Sequence, residues 1–510
     1  MRRIRLSAVA LAVVLLLSGC WSEGEVLPGD TTVIDSSEEP PETEEPAALP
    51  EQFALPYLPD QTLDPITCAD GIQQTVGSLL YEGLFRLDET FSPQKSLCDE
   101  FSYNAEKLTF TFTLRTGVTF SDGSELTGAD VAAQLNRART SARYAARFDD
   151  VASITGSGSV VTVVLSSANT SLPSLLDIPI VKHGTEENTV PLGTGPYHYM
   201  TDENGPYLRA NPAWWGGKSA PVERIELVES PDMDTTLYQF TSHEIQLITA
   251  DLTGSKTIST TGSITFSSAD TTIFQYVGLN TAHTLLSNAA VRRALGLGIN
   301  RSTAVSAFLS GHGTPAQFPI SPVSSLYPTN LERSYSYEDF ESALNTAGLN
   351  SGNHHTLTML VNGENPFKVS VARYIATSLS VHDLTVEVEA LPWEEFTAAL
   401  SAGQFDLYYG EVRLSPDWDL SSLIGTGGTL NYGRYSDITT DQMLSAYGAA
   451  ADRQSAMEAL CRHLQYQAPI LPVCFKTTSV LTQADVVEGL SPTASDPFYG
   501  LEEWTIHLAQ

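Results

Sequence analysis

Residues 108–114, Leu-Thr-Phe-Thr-Phe-Thr-Leu, alternate an apolar side chain with a threonine, the period of two that gives a strand one buried and one wet face. Arg115-Thr116-Gly117 turns the chain, a second strand is expected to end at Phe120, and Asp122-Gly123 marks a tight turn. Thr127-Gly128-Ala129-Asp130 reads as a helix start, with Thr127 as N-cap and Asp130 at the third helical position near the positive end of the dipole. Residues 160–165 and Phe405-Asp406-Leu407-Tyr408-Tyr409 read as further strands, and 288–301 as a helix with Arg301 near its C-terminal end. Strand and helix patterns keep alternating without a tandem repeat, which predicts an α/β body.

The first twenty residues follow a different pattern. Arg2, Arg3 and Arg5 precede an apolar run from Leu6 to Leu17 that closes on Ser18-Gly19-Cys20. A basic start, a short apolar core and small residues at the processing point are the parts of an export signal, and the run is shorter than the ~20 residues of a membrane helix. Cys20 after Ser18-Gly19 resembles a bacterial lipobox, in which the cysteine is lipidated and becomes the first residue of the mature chain. Residues 21–50 are crowded with Glu, Pro, Ser and Thr and cannot bury enough apolar surface to fold. They read as an acidic, extended tether.

About 460 residues remain, which at the usual ~100–200 residues per domain makes two or three lobes. The hydrophobic fraction of 42% is globular. A formal net charge of −33 excludes non-specific nucleic-acid binding, which needs clustered Lys and Arg. Cys68, Cys98, Cys461 and Cys474 form no CxxC pair and no zinc-ligand spacing. Export permits disulfides, with Cys461–Cys474 and Cys68–Cys98 the sensible pairings and free buried thiols the alternative.

Several blocks then carry a resemblance: Leu63-Asp64-Pro65, Leu80-Tyr81-Glu82-Gly83-Leu84-Phe85, Phe112 to Gly123, Leu126 to Val131, Gly193-Thr194-Gly195-Pro196-Tyr197, Asn211-Pro212-Ala213-Trp214-Trp215, Asn280 with Val291 to Arg301, and Pro469 to Val473. Taken in order, they resemble the bacterial solute-binding proteins of family 5, the peptide-, nickel- and sugar-binding class that serves ABC importers. The resemblance implies an α/β, two-lobe periplasmic-binding-protein-like clamp (type II, cluster C) with an extra small α/β subdomain. Residues 51–75, 192–275 and 477–510 would form lobe I, 76–191 the inserted subdomain and 276–476 lobe II. It implies a monomer outside the cytoplasm, lipid-anchored to the outer face of the cell membrane through Cys20, that hinges around a small solute, a short peptide foremost, and hands it to ABC permease transmembrane subunits. No cofactor, catalytic residue or metal site is implied. Glycines 193 and 195 with Pro196 are expected to supply turn conformations.

Peptide-binding members carry an aromatic followed by Asp-Tyr-x-x-Pro after the strand matching Phe405–Tyr409, and their aspartate meets the peptide ammonium. Counted without gaps, that aspartate falls on Ser415; a two-residue insertion brings Asp417 into its place. If Asp417 serves, an amine-bearing ligand follows, with Trp418 or Trp393 as a stacking wall, and Asp417→Asn weakens such ligands by roughly 1.5–3 kcal/mol. If Arg413 faces the cleft, its planar fork recognises a carboxylate or other acceptor. Asp417 and Asp419 read equally as caps before Leu420-Ser421-Ser422-Leu423. Tyr408 and Asn280 complete the candidate ligand set. Two other readings remain: an exported hydrolase using Glu411 with Asp417 or Asp419 as a carboxylate pair, and a receptor used for sensing. GxSxG and HExxH motifs are both absent.

Overall fold

The computed structural model describes residues 49–255, 258 and 263–509; the expected signal, Cys20 and nearly all of the tether lie outside them. The alternating segment is a strand, Thr109–Leu114, with Phe110, Phe112 and Leu114 buried and its threonines half-buried. It sits in a four-stranded antiparallel sheet ordered Cys98–Asn104, Thr109–Leu114, Val160–Leu165, Val151–Ser157. Helix Gly128–Arg139 covers its apolar face. Thr127 and Asp130 form a reciprocal capping box at its start, and Val131, Leu135 and Ala138 enter the same core as Phe112 and Val163. The strand expected to end at Phe120 is replaced by a single bridge, Thr119 to Glu125. The chain reverses too quickly for a ladder, with the Phe120 N–H reaching Ser124 O at 2.8 Å and Gly123 at φ +83.

The lobe that opens the described chain is built on strand Phe53–Tyr57, parallel to Arg224–Glu229, with Gly205–Ala210 and Tyr197–Asp202 following antiparallel. Its core joins Phe53, Leu55 and Tyr57 to Val480, Val486, Phe498 and Trp504 from the far end of the chain. Gly193 and Gly195 lie against the backbone of Leu79 and Leu80, where any Cβ would collide. Neither has a positive φ, so close approach, and not the turn freedom expected above, demands glycine there. Three of the motif blocks meet beside them. Buried Glu82 accepts hydrogen bonds from Trp214 Nε1 at 3.1 Å, Trp215 Nε1 at 2.8 Å and Thr194 Oγ1 at 2.9 Å, and burial pushes its carboxyl up to about 7 against those bonds.

The other lobe centres on a seven-stranded sheet. Strand His355–Asn362 is parallel to both Leu384–Leu391 and Leu407–Arg413, and helix Pro366–Leu379 buries Val371, Ala372 and Ile375 against them. The helix expected over 288–301 ends at Leu297, and a second runs from Arg301 to Phe308. Gly298 is wedged against Leu379 and Phe340, and the Asn300 side chain caps the second helix through Thr303 N at 3.2 Å. Arg301 therefore opens a helix instead of closing one. Its guanidinium donates to the carbonyls of Pro472 at 2.8 Å and Ala316 at 3.1 Å, and burial lowers its pKa to about 10.

Cys68, Cys98, Cys461 and Cys474 are all free and buried, so neither expected disulfide forms. Strand alternation explains the second pair: Phe475 points into the core that holds Cys461, while its neighbour Cys474 points into the core on the opposite side of the sheet.

Two long antiparallel strands tie the lobes together: Ile264–Leu279 and Ile470–Gln483, paired from Ile264↔Gln483 to Gly278↔Ile470. Their Gln483 end pairs with Leu247–Ala250 and adjoins the first lobe's core; their Ile470 end lies in the second. Midway, the register slips between Asp270 and Phe274, a bulge of the kind that bends a strand.

Candidate functional site

The bulge sets one lysine in an apolar stretch. Lys476 follows Ile470–Phe475, and only 3% of its side chain is exposed. Its ammonium pairs with Asp251 at 2.6 Å, just past the end of Leu247–Ala250, and with Glu411 at 3.8 Å on the second lobe's sheet. Glu411 also accepts from Lys368 Nζ at 3.0 Å and Gln275 Nε2 at 2.8 Å, and Gln275 Oε1 accepts from Tyr409 at 2.7 Å. Asn365, which caps the helix carrying Lys368, donates to Thr253 O at 3.0 Å. A connected polar seam thus runs from beside the first lobe into the second, with each buried charge partnered.

Because three strands of the second lobe run parallel, their carboxyl ends share one edge, where the crevice of an open α/β sheet lies. Glu364 and Asn365, Trp393, and residues 413–419 all sit on that edge. Trp393 is half exposed, and its backbone N–H donates to Glu364 at 2.9 Å. Arg413 is solvent-exposed, yet the protein around it depresses its pKa. Burial acts first, the charges of Arg143 and Arg147 from the opposing subdomain add to it, and Glu411 and Asp251 oppose it. Among the described residues, the Arg413 guanidinium has no hydrogen bond and no ion pair, whereas Arg147 is paired with Asp177 and Arg143 donates to Cys68 O and Gln74 Oε1.

Asp417 is nearly buried, and its carboxylate is occupied by Ser415 Oγ at 2.5 Å, Asp419 N at 3.2 Å and, from the subdomain, Asn169 Nδ2 at 3.3 Å. Its carbonyl accepts from Tyr447 at 2.7 Å and Arg453 at 2.6 Å. Trp418 is buried at φ +59, a strained conformation for a bulky residue. Ring contacts to Phe91 at 5.2 Å and Phe475 at 5.8 Å hold it there. Thr170 N donates to Gly448 O at 2.9 Å beside it. Asp419 Oδ1 accepts from Ser421 N at 3.1 Å and Ser421 Oγ at 2.6 Å just before the short helix Ser421–Ile424, whose N-cap, Leu420, has no side-chain cap bond; burial, with Asp417 and Asp150 adding repulsion, raises its pKa against the Ser421 bonds.

Of the sequence candidates, Arg413, Ser415, Asp417, Trp418 and Asp419 are brought together, and Trp393 shares their sheet edge. Asn280 and Tyr408 do not join them. Asn280 follows Leu279, which pairs with Leu407, whereas Ile273 pairs with Arg413. At ~3.3 Å per residue that separates the two ends by roughly 20 Å. The Asn280 amide holds the 403–405 turn by donating to Phe405 O at 2.9 Å, and the Tyr408 hydroxyl meets Tyr276 at 3.1 Å inside the core. Lys476, Lys368, Asp251 and Asn169 were missed. Only Lys476 left a signal: a charge interrupting an apolar strand. A hollow of about 970 Å³ lined by Arg293, Arg301, Tyr335, Tyr466 and Leu471 lies within the second lobe and includes no residue of the crevice. We place the site where two lobes and unspent charge converge, because the hollow touches one lobe only.

The sequence profile of the bacterial extracellular solute-binding proteins, family 5, middle region, matches residues 92–433. The chain belongs to that family, and its relatives are binding proteins of transport, not enzymes. It is 25% identical over 277 residues to the glutathione-binding protein GsiB of Escherichia coli O1:K1 / APEC, covering 51% of this chain and 54% of that one. The chain thus spans about half the length of the first curated relatives it matches. GsiB of Pectobacterium atrosepticum is 23% identical over 429 residues, 77% of this chain and 81% of that one. The oligopeptide-binding protein AppA from Bacillus subtilis, solved with a nonapeptide, has 19% identity and a TM-score of 0.62 over 90% of this chain and 99% of its own. Its likeness carries the two-lobe clamp. Among the described residues no helix is long and apolar enough to cross a membrane.

Proposed function

We propose that this chain is the substrate-binding component of an ABC importer, held at the outer face of the cell membrane by lipid on Cys20, that closes as a monomer around a short peptide or peptide-like solute and delivers it to the permease. Lobe I then comprises 51–75, 192–275 and 477–510, the subdomain 76–191 and lobe II 276–476. The observation that carries the reading is the shared carboxyl edge of three parallel strands, where, among the described residues, Arg413 has no hydrogen bond or ion pair and Trp393 is half exposed, beside the two strands that join the lobes. Remote lobe contacts that form only when a solute bridges the crevice let a permease tell full from empty. Native mass spectrometry of the purified protein is expected to find one small molecule per chain, and removing it should expand the X-ray scattering envelope. Release of a cleaved product would overturn the reading.

A further inference from the structure

We propose that the hollow of about 970 Å³ within the second lobe is a second binding site, and that it takes an organic anion with its charged group on Arg293 and a ring or other apolar body against Tyr335. The assignment stands whatever the crevice binds.

The volume falls within the ~300–1,000 Å³ that small-molecule sites occupy. Leu297, Phe318 and Leu471 give it an apolar lining. Two helices flank it with short side chains, Ala290 and Ala294 from Ala289–Leu297 and Ser342 and Ala343 from Tyr337–Thr346. Tyr335 and Tyr466 also line it and are 43% and 63% exposed, so aromatic faces are open to a stacking partner.

The charged lining sets the sign of the ligand. It consists of four arginines and two carboxylates, in a chain of 60 acidic and 27 basic residues. Arg462 is matched by Glu458 at 2.6 Å. Glu332 accepts from the Tyr327 hydroxyl at 2.7 Å, and Asp339 offsets the dipole in the first turn of its helix. Among the described residues, the other three guanidiniums pair with no carboxylate. Arg301 spends its fork on backbone carbonyls, and burial lowers its pKa to about 10 against the weaker pull of Tyr327 and Glu332. Arg293 lies 4.5 Å over the Tyr466 ring and gives one N–H to Tyr466 O at 2.7 Å, which fixes its plane and leaves four of its five donors. Arg333 is held only by its backbone, whose N–H donates to Gln317 Oε1 at 3.1 Å and whose carbonyl accepts from Gln317 Nε2 at 2.8 Å. An anion arriving here meets a preset planar fork, with the charges of Arg301 and Arg333 beside it. A cation would meet the same three guanidiniums with Asp339 and one oxygen of Glu332 to hold it.

The test titrates the full chain with two probes: anilinonaphthalene sulfonate, an aromatic anion, and phenylnaphthylamine, the same rings without the sulfonate. The sulfonate is expected to protect residues 290–302 and 332–346 from hydrogen exchange and to bind roughly tenfold or more tightly than the neutral amine. Arg293→Ala should erase that preference, Arg333→Ala should weaken the sulfonate about threefold through lost charge alone, and Tyr335→Ala should weaken both probes alike. Thermal melts report folding of each variant, and the comparison of the two probes on the unaltered chain needs no variant to fold. Equal binding of the two probes, or a sulfonate affinity unchanged in Arg293→Ala, overturns the assignment. So does protection confined to residues 413–419, which would put the probe in the crevice and leave the receptor reading standing.

Discussion

The sheet spanning residues 98–165 and the pair of strands joining the lobes are both antiparallel, yet they bury different things. In the sheet, Phe110, Phe112, Val161 and Val163 go in, and threonines and serines stay toward water. In the crossing pair, Thr271, Gln275, Lys476 and Ser479 are buried with polar partners alongside apolar Phe274, Val277, Val473 and Phe475. The first arrangement derives its stability from apolar area. The second spends burial on polar partners that can be exchanged, which suits a joint that must adopt more than one geometry. Where a strand buries side chains that alternate cleanly, it suits scaffold; where it buries hydrogen bonds and ion pairs around a bulge, it suits the hinge proposed above.

The largest effect expected from attacking this contrast is in the sheet. Phe112→Ala removes a fully buried ring in contact with Phe85, Phe101 and Phe110, and should cost about 3–5 kcal/mol in urea unfolding. Glu82 sharpens the comparison by asking what a buried polar group costs away from the hinge. Its folded pKa of about 7 exceeds its ordinary 4.5, so between those values the folded chain holds a proton that the unfolded chain has released. Stability from this group is therefore full below about pH 4.5 and falls as pH rises to 7, by about 3 kcal/mol. Glu82→Gln should flatten that fall, leaving the smaller slope from Asp496, raised to about 6 by burial; an unchanged pH profile would show that Glu82 is ionised throughout. The smallest change in stability belongs to the hinge. Lys476→Met removes the buried ammonium itself and leaves half-exposed Asp251 its Thr253 bonds and Glu411 its Lys368 and Gln275 bonds, so no buried charge is left unpartnered and unfolding should shift by no more than about 1 kcal/mol. Its readout is shape: the ligand-free scattering radius should grow as the ion bridge between lobes is lost. A 4 kcal/mol loss without a change of radius would make Lys476 scaffold after all.

The same contrast explains what could be read from the sequence. Strand Thr109–Leu114 and the capping box at Thr127 depend on neighbours a few residues away, and their pattern survives in one dimension. The motif blocks located the family and the Arg413–Asp419 loop. Which member of that loop is free was not legible, because the answer lies 248 residues away, in the Asn169 amide that occupies Asp417. The break at Gly298 was hidden for a similar reason: Leu379 and Phe340, which crowd it, belong to other helices. Cys474 faces away from Cys461 by one step of strand alternation, a matter of register that spacing alone does not contain.

The core shared by Phe53 and Leu55 with Val480, Phe498 and Trp504 has a consequence for the order of events during synthesis. Contacts that span more than 400 positions form slowly and last, so the lobe begun first is finished last. A nascent chain halted before Val480 would present an unclosed apolar face while its second lobe was already able to fold.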